Sequence, residues 1–374
     1  MLERTLEVCR QLHNEALAER KRAWEGERRS VTYLDQQNGL PELKGLKPEM
    51  EGVHSQVLQD VLRRLDNAFQ AFFRRAQQGE KPGFPRFKSV GRYDSITYPQ
   101  WSNGVLLVNG KLALSKIGAI NIRLHRELPP GAVVKTCVLR QQASRWYACL
   151  SAEVPNEAVV ARPVQRSVGV DVGVRNLVAL STGEVVPAPR FFSRAEERLA
   201  RAQRKLSRKA RASKGRVRAC ARVTAIHRKI YNQRADFLHK LSRRLVREFD
   251  FIAFERLDTQ RMVTKGFWAK GILDASWYKL QVFTAYKAAE AGARVELVDP
   301  RGTSQECSQC SAVVKKTLAV RVHACPACGL TLDRDVNAAR NILRKVGWEP
   351  PQLTPAETPK RESRKPEAPA FRPG

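Results

Sequence analysis

The 374-residue chain reads as a multi-domain α/β protein, because three hydrophobic patterns succeed one another along it. Apolar residues at helical spacing run through residues 1 to about 80. Strand-period segments occupy about 100–160. Beyond 164, apolar strands alternate with helical stretches.

The elements follow in order. Leu6, Cys9, Leu12 and Ala16 lie on one face of a first helix, and Leu58, Leu62, Leu65, Phe69 and Phe72 on one face of a second, at steps of three and four residues. Both are core faces of a helical unit and carry no catalytic group. Lys81-Pro-Gly-Phe-Pro-Arg-Phe-Lys88 interleaves aromatics with cations, which suits either base stacking and phosphate contact or a linker with buried Phe. Val105–Val108, Asn109-Gly110 and Lys111–Leu114 form a hairpin with a favoured two-residue turn. Ile117–Leu124, Val133–Leu139 and Trp146–Val154 extend the same small β domain.

The third unit opens with the strand Ser167–Asp171, a turn and Asn176–Leu180. Residues 193–247 form a basic helical stretch with 19 Lys/Arg against Glu196, Glu197 and Asp236. So little opposite charge leaves few i,i+4 pairs, and the repulsion calls for a bound polyanion. A buried strand Asp250–Glu255, a helix Trp277–Ala291 and a strand Arg294–Val298 follow. From about 347 the tail carries seven prolines with mixed charge, a composition that predicts disorder.

Charge narrows the partner. Sixty-seven Lys+Arg against 37 Asp+Glu leave +30, a surplus that is self-repulsive unless nucleic acid neutralises it. A membrane is not expected: no apolar run approaches the roughly 20 residues of a span, and no basic amphipathic helix has a clean apolar face. The opening Met1-Leu2-Glu3-Arg4 is not a secretory signal, so a cytoplasmic, nucleoid-associated protein is expected.

Four of the eight cysteines, Cys9, Cys137, Cys149 and Cys220, are scattered; the other four form Cys307-x2-Cys310-x14-Cys325-x2-Cys328. Two such knuckles complete a tetrahedral sulfur shell for Zn2+, and four thiolates leave no open position, so this zinc is expected to be structural. The carboxylates are the other signal. Asp171 interrupts an apolar strand, Glu255 ends another, and Asp335 opens the helix Asp335–Leu343. Each alone is ordinary. Together they make the carboxylate set of a two-metal phosphodiester site, with two Mg2+ ions as the hard cations that relieve their repulsion. Asp333 is the rival for the third role and is read as the helix cap, because the Asp335-Val-Asn-Ala-Ala run places Asp335 on the helix. No Walker loop and no Gly-x-Ser-x-Gly elbow is present. The six histidines lack zinc-protease spacing and are expected at the surface or on phosphates.

Gly169-Val-Asp-Val-Gly-Val-Arg-Asn176, Phe254-Glu255, the cysteine ribbon and Asp333-Arg-Asp-Val-Asn-Ala-Ala339 together resemble the TnpB (OrfB) proteins of insertion sequences, relatives of the type V CRISPR effectors. His13-Asn-Glu-Ala-Leu-Ala18 and Gly83-Phe-Pro-Arg-Phe-Lys88 are also similar to that family. The resemblance spans roughly residues 10–345. It implies a helical recognition lobe (1–90), a small wedge-like β-barrel (91–163) and a RuvC-type, RNase H-like nuclease domain (164–346). That domain would hold the basic helical insert (193–248) and the zinc ribbon (303–330), ahead of a disordered tail (347–374). It further implies a guide RNA derived from the transposon end, target double-stranded DNA beside a short flanking motif, and Mg2+-dependent cleavage at Asp171, Glu255 and Asp335. Base pairing would then carry the sequence specificity.

The chain departs from the family's pattern in two places. It opens within the first helix, where relatives place an extra strand of the barrel. Ser311 follows the first knuckle where Gly is common, although Gly329 follows the second. Two other readings stand beside guided cleavage: a guide-directed repressor or transposition regulator that does not cut, and an RNA-independent structure-specific nuclease or recombinase.

Overall fold

The computed structural model describes residues 1–142, 145–155, 159–211, 213–266, 268–317 and 320–347. The proline-rich tail read as disordered lies outside them from residue 348 onward. The chain divides into two compact units, Met1–Glu157 and Ala158–Gly374.

In the first unit, α1 (Leu2–Glu27), α2 (Tyr33–Asn38), α3 (Leu40–Leu46), α4 (Pro48–Glu51) and α5 (Ser55–Gln77) precede six strands. The strands are β1 (Ser95–Tyr98), β2 (Val105–Val108), β3 (Lys111–Leu114), β4 (Gly118–Asn121), β5 (Val133–Gln142) and β6 (Arg145–Glu153). The region expected to form a barrel contains two separate three-stranded antiparallel sheets, β1-β5-β6 and β2-β3-β4. The helices and sheets share one core: Leu12, Leu58, Leu62 and Leu65 pack in the same cluster as Ile96, Tyr98, Leu112 and Leu139. A boundary near residue 90 therefore separates two chain segments but not two cores. Asn109 and Gly110 both take positive φ (47° and 72°), as the tight turn between β2 and β3 requires.

The second unit is built on a five-stranded sheet in the order β11-β10-β7-β8-β9. Here β7 is Ser167–Val172, β8 Asn176–Leu180, β9 Val185–Pro187, β10 Phe251–Glu255 and β11 Arg294–Val298. Strands β7, β8 and β9 are successively antiparallel, while β10 and β11 run parallel to β7. Between β9 and β10 stand α6 (Phe191–Ser207) and the 35-residue α7 (Lys214–Glu248). Between β10 and β11 stand α8 (Thr259–Thr264), α9 (Ala269–Ala275) and α10 (Trp277–Ala291), and the chain then passes through the ribbon strands β12 (Val322–Ala324) and β13 (Thr331–Asp333) into α11 (Arg334–Arg344).

Alternation along the strands assigns their two faces. Val168, Val170, Val172, Ile252 and Phe254 pack with Leu238, Leu241 and Leu245 of α7 and Trp277 and Leu280 of α10. Phe251 and Ala253 face the other way and pack with Ile342 and Leu343 of α11. Gly169 shares that second face, and a Cβ there would lie 1.9 Å from the Ala339 carbonyl oxygen and 2.9 Å from the Leu343 nitrogen. Backbone on both sides cannot yield to it. Gly169→Ala is expected to cost about 3 kcal/mol, read as a lowered denaturation midpoint.

Candidate active site and metal centre

The same alternation brings the acids together. Asp171 and Glu255 have the parity of Gly169 and Ala253, so both project from the face that α11 covers. The parallel register pairs Phe254 with Val170 and Ala253 with Gly169, which sets Glu255 beside Asp171 at the carboxyl ends of the two strands. Strand carboxyl ends are the usual binding edge of a parallel α/β sheet. The third acid comes from the first turn of α11. Asp333 caps that helix, accepting from the backbone N–H groups of Asp335 (2.8 Å) and Val336 (3.3 Å), and leaves the Asp335 side chain to turn toward the sheet. Glu255 and Asp335 are both buried, and Asp171 is partly so.

Electrostatics ties the three into one cluster. The Asp171 carboxyl is raised well above the carboxylate range, first by burial and then by the charges of Glu255 and Asp335. Glu255 is raised by burial, against the opposing pull of the Thr303 hydroxyl. Asp335 is held by Arg334 (3.1 Å), Asn176 (3.2 Å) and, more distantly, Arg321 (3.8 Å). The cluster is looser than the cysteine quartet, the one group of potential metal donors among the described residues whose ligand atoms all lie within 4.8 Å of one another. The three acids approach from separate elements, β7, β10 and the first turn of α11.

In the quartet, Sγ of Cys307 lies 3.6 Å from that of Cys328, and Sγ of Cys310 lies 3.5 Å from that of Cys325. A tetrahedron with Zn–S bonds of about 2.3 Å has edges of about 3.8 Å, so the sulfurs stand close to the spacing zinc takes. The Cys328 backbone N–H, aimed at the Cys325 sulfur, brings that thiol down to about 6, whereas its neighbouring sulfurs push Cys328 up to about 12, as expected where four thiols crowd together without a cation. Ser311 and Gly329 hold equivalent positions: each N–H donates to the first cysteine of its knuckle, and each takes positive φ (64° and 73°). A non-glycine residue there costs about 1–2 kcal/mol. The Ser311 hydroxyl, however, accepts a 2.9 Å bond from Arg344 that glycine could not supply.

Sequence reasoning missed the residues that fasten this ribbon. Asn337 and Asn341, both fully buried on α11, bind the loop that leads into the first knuckle. Asn337 donates to the Glu306 carbonyl (2.7 Å) and accepts from the Ser308 N–H (2.9 Å), and Asn341 donates to the Thr303 and Glu306 carbonyls. Two asparagines spaced i,i+4 on an apolar helix face were the available signal. The expectation for the histidines also needs correction: His13 and His323 are buried, whereas His227 and His239 are exposed. In the Lys81–Lys88 segment, Phe84 and Phe87 are about half exposed, and Asn14 of α1 exchanges two hydrogen bonds with Lys88.

The basic stretch folds as a helical hairpin with its own small core of Ala195, Leu199, Ala202, Ile226 and Ile230. Asp274 of α9 accepts from the Phe192 N–H at the start of α6 (3.0 Å) and pairs with Arg234 of α7 (2.8 Å). Between the helices runs a groove of about 730 Å3 lined by Arg198, Arg201, Arg204, Lys205, Arg208, Arg222 and Lys229. None of the seven pairs with a carboxylate among the described residues. A groove with one sign of charge and no internal counter-ion fits a phosphate backbone.

A buried acid cluster, a four-cysteine quartet and a basic groove without a paired carboxylate all belong to the second unit, and comparison supplies the chain's kin. The profile of the OrfB_IS605 family, described as a probable transposase, matches residues 149–265, and that of the Cas12f1-like TNB domain matches residues 277–342. A "Putative RNA-guided DNA endonuclease" of Streptomyces pristinaespiralis is 39% identical, over 91% of this chain and 84% of that protein. InsQ of Escherichia coli K12, with the same description, is 32% identical over 90% of this chain and 86% of its own length. The CRISPR-associated endodeoxyribonuclease Cas12f1 of Sulfoacidibacillus thermotolerans is 28% identical over 53% of this chain and 50% of that protein. The chain belongs to the TnpB (OrfB) family of insertion-sequence proteins.

Proposed function

We propose that this protein is an RNA-guided DNA endonuclease of a transposable element, cutting target DNA at Asp171, Glu255 and Asp335. The carrying observation is the juxtaposition of Asp171 and Glu255 at the carboxyl ends of two paired parallel strands, on the face covered by the helix whose first turn carries Asp335. Three clustered carboxylates are a poor arrangement for a metal-free protein and a good one for Mg2+. The sheet order, with three antiparallel strands followed by two parallel ones, supports the RuvC-type, RNase H-like reading.

In this reading the three acids hold Mg2+, which when bound supplies positive charge to the attacking and leaving oxygens of the phosphodiester. The chain's own part is positioning: β7 and β10 fix two donors, and the cap by Asp333 fixes the third. Cys307, Cys310, Cys325 and Cys328 hold one structural Zn2+. The α6–α7 groove takes the nucleic-acid backbone, while a guide RNA from the transposon end pairs with target DNA beside a short flanking motif. No helix among the described residues is long and apolar enough to cross a membrane. Because its proposed substrate is DNA, we place the protein in the cytoplasm with that DNA.

Two measurements test this reading. RNA co-purified with the protein is expected to be dominated by one species, and protein that carries none would contradict guidance. Replacing Arg201, Arg204, Arg222 and Lys229 with Gln is expected to flatten the dependence of log affinity on log salt by about 0.7–0.9 for each phosphate that is no longer neutralised. An unchanged slope in titrations from low to moderate salt would remove the groove from the interface.

A further inference from the structure

We infer that Thr303 is a positioning residue for Glu255, and that Asn341 sets its place from α11. The inference rests on the carboxylate reading above. Thr303 is buried, and its hydroxyl meets Glu255 Oε1 while also lying 2.9 Å from the Pro300 carbonyl oxygen. A hydroxyl has one proton to give, and donation to a charged carboxylate is the stronger of the two bonds. The hydroxyl therefore fixes one oxygen of Glu255 and leaves the other to turn toward Asp171.

The backbone of Thr303 is pinned in turn. Its carbonyl accepts from Asn341 Nδ2 at 2.8 Å, and the same amide donates to the Glu306 carbonyl at 2.7 Å. The loop closes on itself through the N–H groups of Gln305 and Glu306, both 2.9 Å from the Gly302 carbonyl. Gly302 takes a φ of +81°, where a Cβ would fall 2.3 Å from Glu306 Oε1. On the strand side, the Glu255 carbonyl accepts from Gln281 of α10 at 2.9 Å, so backbone and carboxylate are held from opposite elements. One helix thus places two of the three acids: α11 carries Asp335 itself and orients Glu255 through Asn341 and Thr303. The loop runs directly into Cys307, so the zinc ribbon and the acid cluster share an anchor.

The test compares Thr303→Val, which keeps the shape and removes the hydroxyl, with Thr303→Ser, which restores it. Mn2+ binding to the purified protein, followed by electron paramagnetic resonance, is read beside kcat and KM for guide-matched DNA, zinc content and melting temperature. Thr303→Val is expected to weaken Mn2+ binding and lower kcat by roughly 10–100-fold. KM and zinc content should not change, and Thr303→Ser should recover most of both losses. Should the Val variant lose its zinc or fail to fold, Thr303→Ala carries the same prediction. Wild-type Mn2+ binding by Thr303→Val, or a Thr303→Ser as impaired as Thr303→Val, would overturn the inference. Glu255→Gln separates the two levels. If it binds Mn2+ normally, the carboxylate reading itself fails. If it loses Mn2+ while Thr303→Val keeps it, only the role of Thr303 fails.

Discussion

Asp171→Asn is expected to abolish DNA cleavage and, in the same protein, to raise the melting temperature measured without divalent metal. The first effect follows from removing a charged donor shared by the metal cluster, and a loss of at least ~10^3-fold corresponds to ~4 kcal/mol of transition-state stabilisation. The second follows from the direction of the carboxyl's shift. Its folded-state pKa lies above the ordinary 3.8, because burial and the charges of Glu255 and Asp335 oppose ionisation. The folded state therefore binds more protons than the unfolded state as pH rises from that ordinary value toward the raised one, and stability falls across the window. Above the raised pKa the metal-free wild type carries this cost in full. Asn carries no charge, so its stability profile is flatter there, with a gain of about 2–4 °C for each kcal/mol recovered. Added Mg2+ should close the gap by stabilising the wild type alone. A variant no more stable than wild type in chelator would show that the cluster is not under charge strain.

Cys325→Ser is expected to empty the zinc site and unfold the ribbon while the five-stranded sheet stays folded. The ribbon has little core of its own, since β12 and β13 are three residues each. Zinc binding worth about 10–16 kcal/mol in isolated zinc fingers is the scale of what replaces that core. The sheet is stabilised independently by Val168, Val170 and Phe254 packed with Leu245 of α7 and Leu280 of α10. Metal content should fall from one zinc per chain to none, and hydrogen exchange should lose protection over residues 305–333 while β7 and β10 keep theirs. Cleavage should fall as well, because the loop that orients Glu255 ends on Cys307. Retained zinc, or a collapse that includes β7 and β10, would contradict this division.

What the sequence disclosed was what short-range pattern can carry. Trp277–Ala291 and Arg294–Val298 have the same bounds in the sequence reading and in the structure, because a helix closed by the left-handed Gly292 and a short strand alternating Val and Leu with charged residues are each marked locally. Asn109-Gly110 announced its turn for a similar reason. Asp171 and Glu255 were visible because a charge at the end of an apolar strand breaks the pattern it sits in. Their shared face needed only the period of two, but the approach of α11 did not show: it depends on Gly169 lacking a Cβ against Ala339, 170 positions away. Asn341 and Thr303 are likewise ordinary in sequence and acquire meaning only through a bond across 38 residues. Asp274 supplying the N-terminal bond of α6 from another helix is the same kind of long-range pairing. The common core of α1, α5 and the first-unit sheets was hidden because helical and strand periods give no indication of which faces meet.

The central claim, guided metal-dependent cleavage at one carboxylate cluster, is tested most directly by a single assay. Wild type and Asp171→Asn, each loaded with the RNA that co-purifies with it, are incubated with Mg2+ and either a guide-matched or a mismatched DNA duplex. The account predicts cutting by the wild type on the matched duplex alone, with both proteins retaining the duplex in a binding assay. Cutting by Asp171→Asn, or wild-type cutting that ignores the match, would contradict it.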